Sequence, residues 1–133
     1  MTDRHFSPAE VEALIPALTG IMDDVRRAQG RARSLNEAMQ GEQRRIALVG
    51  GGVLDRGQWR TMRAQVEQLG QQVQEGFNRM MALGGVPKDV ELGLVDFPHL
   101  RDGRVVNLCW KYGEREIRFW HGLDEGYTGR KSL

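Results

Sequence analysis

The chain has 133 residues, of which 40% are hydrophobic and 28% charged, with a formal net charge of +1. Those values fit one soluble domain with a modest core and exclude a global electrostatic pull toward nucleic acid or anionic membrane. The one cysteine cannot form an internal disulfide, no apolar run approaches the roughly 20 residues that span a bilayer, and Met1 to His5 lack the basic-then-apolar plan of a signal peptide. The expected setting is a reducing cytoplasm without membrane attachment.

Ser7-Pro8-Ala9-Glu10 predicts a helix start. Ser7 can cap, Pro8 loses nothing at the first helical position, and Glu10 can reach back to close a capping box. Phe6 can staple onto Val11. Pro16 lies inside the pattern, where it removes a backbone hydrogen bond and crowds the preceding turn, so a kinked N-terminal helix is expected. From Leu14 the apolar positions run through Leu18, Ile21, Val25, Ala28, Ala32, Leu35 and Met39 to Ile46 and Val49, spaced four and three in alternation. That is one narrow seam on a helix about 50 Å long, a pattern suited to a coiled-coil partner.

Gly50-Gly51-Gly52 should end this helix, because three glycines cost too much backbone entropy to stay helical. A second seam follows at Trp59, Met62, Val66, Leu69, Val73, Gly76, Met80 and Leu83, with Asp55 as N-cap and Gly84-Gly85-Val86-Pro87 as the stop. Two such seams joined by a short glycine turn predict an antiparallel helical hairpin with coiled-coil character. Its distal half holds nine arginines between Arg26 and Arg63 against Glu37, Glu42 and Asp55. Arg44, Arg45, Arg56 and Arg60 make a basic tip that is either a solvated surface or a foot for nucleic acid or an acidic protein. The lack of aromatics interleaved with these arginines speaks against single-strand stacking.

After Pro87 the apolar period changes to two. Leu92–Phe97, Val105–Tyr112 and Glu116–His121 read as three short strands, with tight turns at Asp102-Gly103 and Gly113-Glu114. A two-residue turn at Gly113-Glu114 pairs Lys111 with Glu116, Leu108 with Phe119 and Val106 with His121. Leu108, Trp110, Ile117 and Phe119 then face the helices, Asp96, Cys109, Arg118 and Trp120 face outward, and His99 and His121 flank Val106. A three-residue turn at Asp102 would move Asp96 to the other face. An outward Trp120 needs a cover, which the segment from Gly122 to Arg130, with Tyr127, or a second subunit could supply.

The polar residues of this region, Asp96, Cys109, Glu114, Trp120, His121 and Arg130, form the candidate functional cluster. Three readings compete: a divalent-metal site drawing on His99, His121, Asp96 and Asp124; a Cys109 nucleophile with a histidine base; and a satisfied network in which Asp96 pairs with Arg118 or Arg130. No ligand-spacing motif selects the metal reading, and no cofactor is expected otherwise.

Gly93-Leu94-Val95-Asp96-Phe97-Pro98, Leu108-Cys109-Trp110, Gly113-Glu114, Trp120-His121 and the Gly126 to Arg130 ending resemble an uncharacterised bacterial domain-of-unknown-function family, DUF2203. The resemblance spans nearly the whole chain, including Phe6 and Leu14-Ile15-Pro16. It implies that Asp96, Cys109, Trp110, Glu114, Trp120, His121 and Arg130 belong to one site or structural knot, and it implies no activity. The expected protein is a single α+β domain over residues 1–133: a helical hairpin over 6–85 packed on a three-stranded antiparallel meander with its tail over 86–133. The leading functional expectation is a non-enzymatic interaction or adaptor protein, self-associating as a dimer or binding a protein partner. The alternatives are a small metal- or ligand-binding protein and nucleic-acid binding at the tip.

Overall fold

The computed structural model describes residues 4–49 and 55–133. Helix α1 (Pro8–Val49) and helix α2 (Arg56–Ala82) lie on one face of an antiparallel sheet of five strands, β1 (Val86–Asp89), β2 (Leu94–Arg101), β3 (Arg104–Lys111), β4 (Phe119–His121) and β5 (Lys131–Ser132), in that spatial order. The glycine turn at Gly50–Gly52 lies outside the described residues.

Both helix starts form as their residues dictate. Ser7 N–H donates to Glu10 Oε1 at 2.9 Å and Glu10 N–H to Ser7 Oγ at 3.1 Å, a complete capping box. Asp55 accepts from Gln58 N–H at 3.1 Å. α1 runs through Pro16 without a break in the helix. Pro16 is exposed, so water can serve the carbonyl it leaves free, while Val11, Ile15 and Leu18 bury around it and offset a cost of about 3 kcal/mol. At the end of α2, Gly85 N–H reaches Met80 O and Gly84 N–H reaches Met81 O, both at 3.0 Å. This Schellman closure requires the positive φ of 104° at Gly84, where a Cβ would also strike the Phe6 ring.

The two helices meet along their seams. Gly76 sits against Val25, where a Cβ would overlap the valine methyl, and further out Met39 shares a groove with Trp59 and Met62. The core is wider than the seam near the sheet. Val11, Ile15 and Met22 form a second buried stripe beside Leu18, Ile21 and Val25, and together they cover Val95, Phe97, Leu108, Trp110 and Ile117. Phe6 anchors the start of the chain on the sheet. Its N–H donates to Pro98 O at 2.7 Å, and its ring meets Phe97 edge-on at 5.2 Å.

The sheet corrects the three-stranded meander in two ways. Two edge strands join it: β1, whose Pro87 is tolerated because an edge need not donate on both sides, and the two-residue β5. The β3–β4 register also differs from the expected one. Asn107 pairs with His121 and Leu108 with Trp120, one residue away from Val106–His121 and Leu108–Phe119. The cause is the connection over residues 112–118, which is a longer loop and not a two-residue turn. Glu114 Oε1 accepts from Lys111 N–H at 2.7 Å, Trp110 Nε1–H donates to Glu114 O at 3.0 Å, and Ile117 N–H donates to Glu12 Oε1 at 3.0 Å. Lys111 and Glu116 therefore do not pair; Glu116 holds Arg118 at 2.7 Å.

A one-residue slip exchanges the faces of every side chain on β4. Trp120 turns inward beside Leu108 and packs on the edge of the core, with Arg101 and Lys131 each 4.7 Å from its ring centre. Phe119 and His121 turn outward. The β2–β3 hairpin forms as expected: Asp102 (φ 51°) and Gly103 (φ 78°) make a two-residue turn, and Asp96 lies opposite Cys109.

Candidate functional site

The corrected register brings Asp96 on β2, Cys109 on β3 and His121 on β4 to the same face of the sheet, opposite the helices. Each offers one ligand atom, and these atoms lie within 4.8 Å of one another. All three residues are buried, at 3%, 1% and 2% exposure. His121 Nε2 is 3.0 Å from Asp96 Oδ1, and its Nδ1 is 2.9 Å from the Gly122 carbonyl.

This geometry constrains the protons. A carbonyl only accepts, so Nδ1 carries hydrogen and donates to Gly122 O. In a neutral ring Nε2 then presents a lone pair to a carboxylate oxygen, another acceptor. A positive centre must lie between them, either a second proton or a metal ion. Burial is the main reason the Cys109 thiol is pushed up to about 12, with the Asp96 carboxylate adding to it and Arg130 opposing it. At neutral pH it is a protonated thiol, an environment that does not favour a nucleophile.

The segment after β4 turns at the sheet edge, with its Glu125–Lys131 pair on the Trp120 side and Arg130 returning to the face of the cluster. Gly122 N–H donates to Glu125 Oε1 at 2.8 Å, and Lys131 Nζ reaches the same oxygen at 2.5 Å. The Lys131 ammonium, followed by the Gly122 N–H, holds the Glu125 carboxyl below its usual value. A short 3-10 turn, Tyr127–Gly129, then delivers Arg130. The Arg130 guanidinium lies 4.0 Å from the Phe119 ring centre and 5.0 Å from that of Tyr127, and donates to Glu114 Oε2 at 2.6 Å. Lys111 Nζ donates to Tyr127 Oη at 3.2 Å and holds the phenol below its ordinary range. Arg130 Nε is buried without a partner among the described residues.

Of the six cluster residues, the structure gathers Asp96, Cys109 and His121 in one centre and sets Glu114 and Arg130 beside it as a clamp, while Trp120 lies on the opposite face. Of the expected metal set, Asp96 and His121 meet, but His99 and Asp124 do not join them. His99 belongs to the helix side, with Nδ1 2.6 Å from Phe6 O, and Asp124 is exposed in the loop. Asp96 pairs with neither Arg118 nor Arg130. The turn leading to Arg130 is made by Gly122 and Glu125, which belong to the segment that the sequence offered as a cover for Trp120. Their three-residue separation is the one local signal of the turn they make.

The fold and this centre define a class: a two-helix α+β protein whose sheet carries a closed Asp-Cys-His cluster on the face away from the helices. The family model described as uncharacterized conserved protein (DUF2203) matches residues 4–133, and the chain belongs to that family. No curated protein and no solved structure matches it. Among the described residues, no helix is long and apolar enough to cross a membrane.

Proposed function

We propose that the protein is a small metal-binding protein in which Asp96 Oδ1, Cys109 Sγ and His121 Nε2 hold a divalent ion of the zinc class. The carrying observation is the pair of facing acceptors, Nε2 and Oδ1, at 3.0 Å with Nδ1 already committed to Gly122 O. A metal-bound histidine ordinarily donates its other ring N–H to such a carbonyl, which fixes the tautomer. Mixed nitrogen, sulfur and oxygen donors suit zinc-class ions, and two anionic ligands balance the ion's charge. Binding would displace the thiol proton, which this site otherwise retains. The ligands come from three adjacent strands, with Arg130 alongside, so the ion's role is to tie β2, β3 and β4 together.

Elemental analysis of the untagged full chain tests this. Near-stoichiometric zinc-class metal, lost in His121→Ala and Cys109→Ser, is expected, as is a thiolate-to-cobalt charge-transfer band after cobalt loading. Protein that stays metal-free after zinc incubation would remove the reading and leave Asp96–His121 as a proton-bridged structural pair.

The helices support a second reading, a coiled-coil hairpin that engages a protein partner or a second copy. Its observation is that the seam continues beyond the sheet, with Leu35, Ile46, Met62 and Val66 only half-buried. Light scattering after size-exclusion chromatography reads this directly, and a strict monomer that captures no partner counts against it.

A further inference from the structure

The far end of α2 carries a feature that neither the metal centre nor the helix seam uses. Arg56, Arg60 and Arg63 are exposed and spaced four and three residues apart, which aligns them on one side of the helix over about 10 Å of axis. They line a groove of about 360 Å³ with Trp59, Ala64 and Glu67. On the helices Arg27 pairs with Asp24 at 3.5 Å, Arg33 with Glu91 at 2.8 Å and Arg45 with Glu42 at 2.5 Å, whereas Arg26, Arg31, Arg44 and Arg79 have no carboxylate within 4.0 Å among the described residues. Among the described residues, none of Arg56, Arg60 and Arg63 has a carboxylate within 4.0 Å.

Trp59 makes this more than a charged surface. In the seam pattern it counts as a core residue, which is why the arginines looked free of aromatics. It is half-buried and lines two grooves, one shared with Met39 and Met62 and the other with the three arginines. No cation is stacked on its ring among the described residues, in contrast to Trp120 between Arg101 and Lys131.

We infer that this face of α2 binds single-stranded nucleic acid, with Arg56, Arg60 and Arg63 meeting successive phosphates and Trp59 offering an edge and face to an unstacked base. Guanidinium groups recognise phosphate through paired N–H donors, and base–aromatic stacking tolerates any sequence. The charge balance of the distal helices, nine arginines against three acids between residues 26 and 63, adds to the local field and opposes docking of the same face of a second copy.

The test is fluorescence anisotropy of a labelled oligothymidylate with the full chain. Binding at about 50 mM salt is expected, falling with a log–log slope near about −2 for three contacts on a single strand. Replacing the three arginines together by Gln should cost at least about tenfold and lower the slope, while the triple Lys variant keeps the slope. Trp59→Ala should lose about tenfold, and Trp59→Phe, which keeps the packing on Met39 and Met62, should fall between. Absence of binding at low salt, or equal affinity of the triple Gln variant, would overturn the inference. So would heparin binding as tightly with no effect of Trp59→Phe or Trp59→Ala, which would mean bare polyanion attraction. Self-association abolished by the triple Gln variant would assign the face to contact between copies, and would also overturn it.

Discussion

Along α1, Val11, Ile15, Leu18, Ile21, Met22, Val25 and Ala28 are all buried, whereas beyond Ala28 only Met39 is, of the side chains described. The same helix thus serves two environments. Near the sheet it is covered on two sides, by α2 and by Trp110, Phe97 and Leu108, and a second apolar stripe appears beside the seam. Further out the second stripe is gone and the seam alone remains, with Arg33 reaching back to Glu91 at 2.8 Å. Charge builds up along the same direction: nine arginines lie between residues 26 and 63, the first of them still at the sheet end, with Arg26 4.7 Å from the Tyr112 ring centre and Arg33 on Glu91. The comparison teaches that apolar width along a helix reports how many neighbours cover it.

Breaking the covered end should cost most. Trp110→Ala removes a fully buried indole and its hydrogen bond to Glu114 O, and a loss of about 4 kcal/mol in denaturant unfolding is expected. Asp96→Ala follows at about 3 kcal/mol, because it strands the buried His121 ring without the group that faces it. If metal ties the strands, Asp96→Ala should also lower metal content, so the two effects can be measured on one sample. At the other end, Leu35→Ala in the half-buried seam should cost about 1 kcal/mol, visible as faster amide exchange in the distal helices with the sheet unchanged.

The smallest effect belongs to the strap that Glu125 and Lys131 make beside Trp120. Lys131 and the Gly122 N–H hold the Glu125 carboxyl below its unfolded value, so the folded state gains from the carboxylate above that value and loses the gain as pH falls through the folded one. Melting temperature followed from neutral into the acid range should show this limb, and Glu125→Gln should flatten it. An unchanged acid limb in that variant would mean the strap does not depend on this carboxylate.

Local chemistry could be read directly from the residues. Ser7 to Glu10 dictates a capping box, Asp55 a cap, Gly84-Gly85 a helix stop and Asp102-Gly103 a two-residue turn, and each formed where its backbone requirement lies within four residues. The turn was enough to place Asp96 beside Cys109. The seams were also legible, although the second stripe at Val11, Ile15 and Met22 was in the sequence and gains meaning only when a sheet covers it. Trp59 shows the converse, since a position on the seam does not reveal that the ring's other side opens among arginines.

Tertiary structure decided where His121 points. Strand side chains alternate with period two, so the loop over residues 112–118 needed only one residue more or less to exchange the faces of β4. Its length is set by distant partners: Glu12 on α1 receives Ile117 N–H, Arg130 holds Glu114, and Ile117 enters the core. The edge strands β1 and β5 are four and two residues long, too short to carry a periodic signal, and they exist because a formed sheet offers them partners. The sequence alone therefore determined the helices, their caps and the Asp96–Cys109 neighbourhood. The fold delivered His121 to that neighbourhood, because a register is chosen by contacts made across the whole molecule.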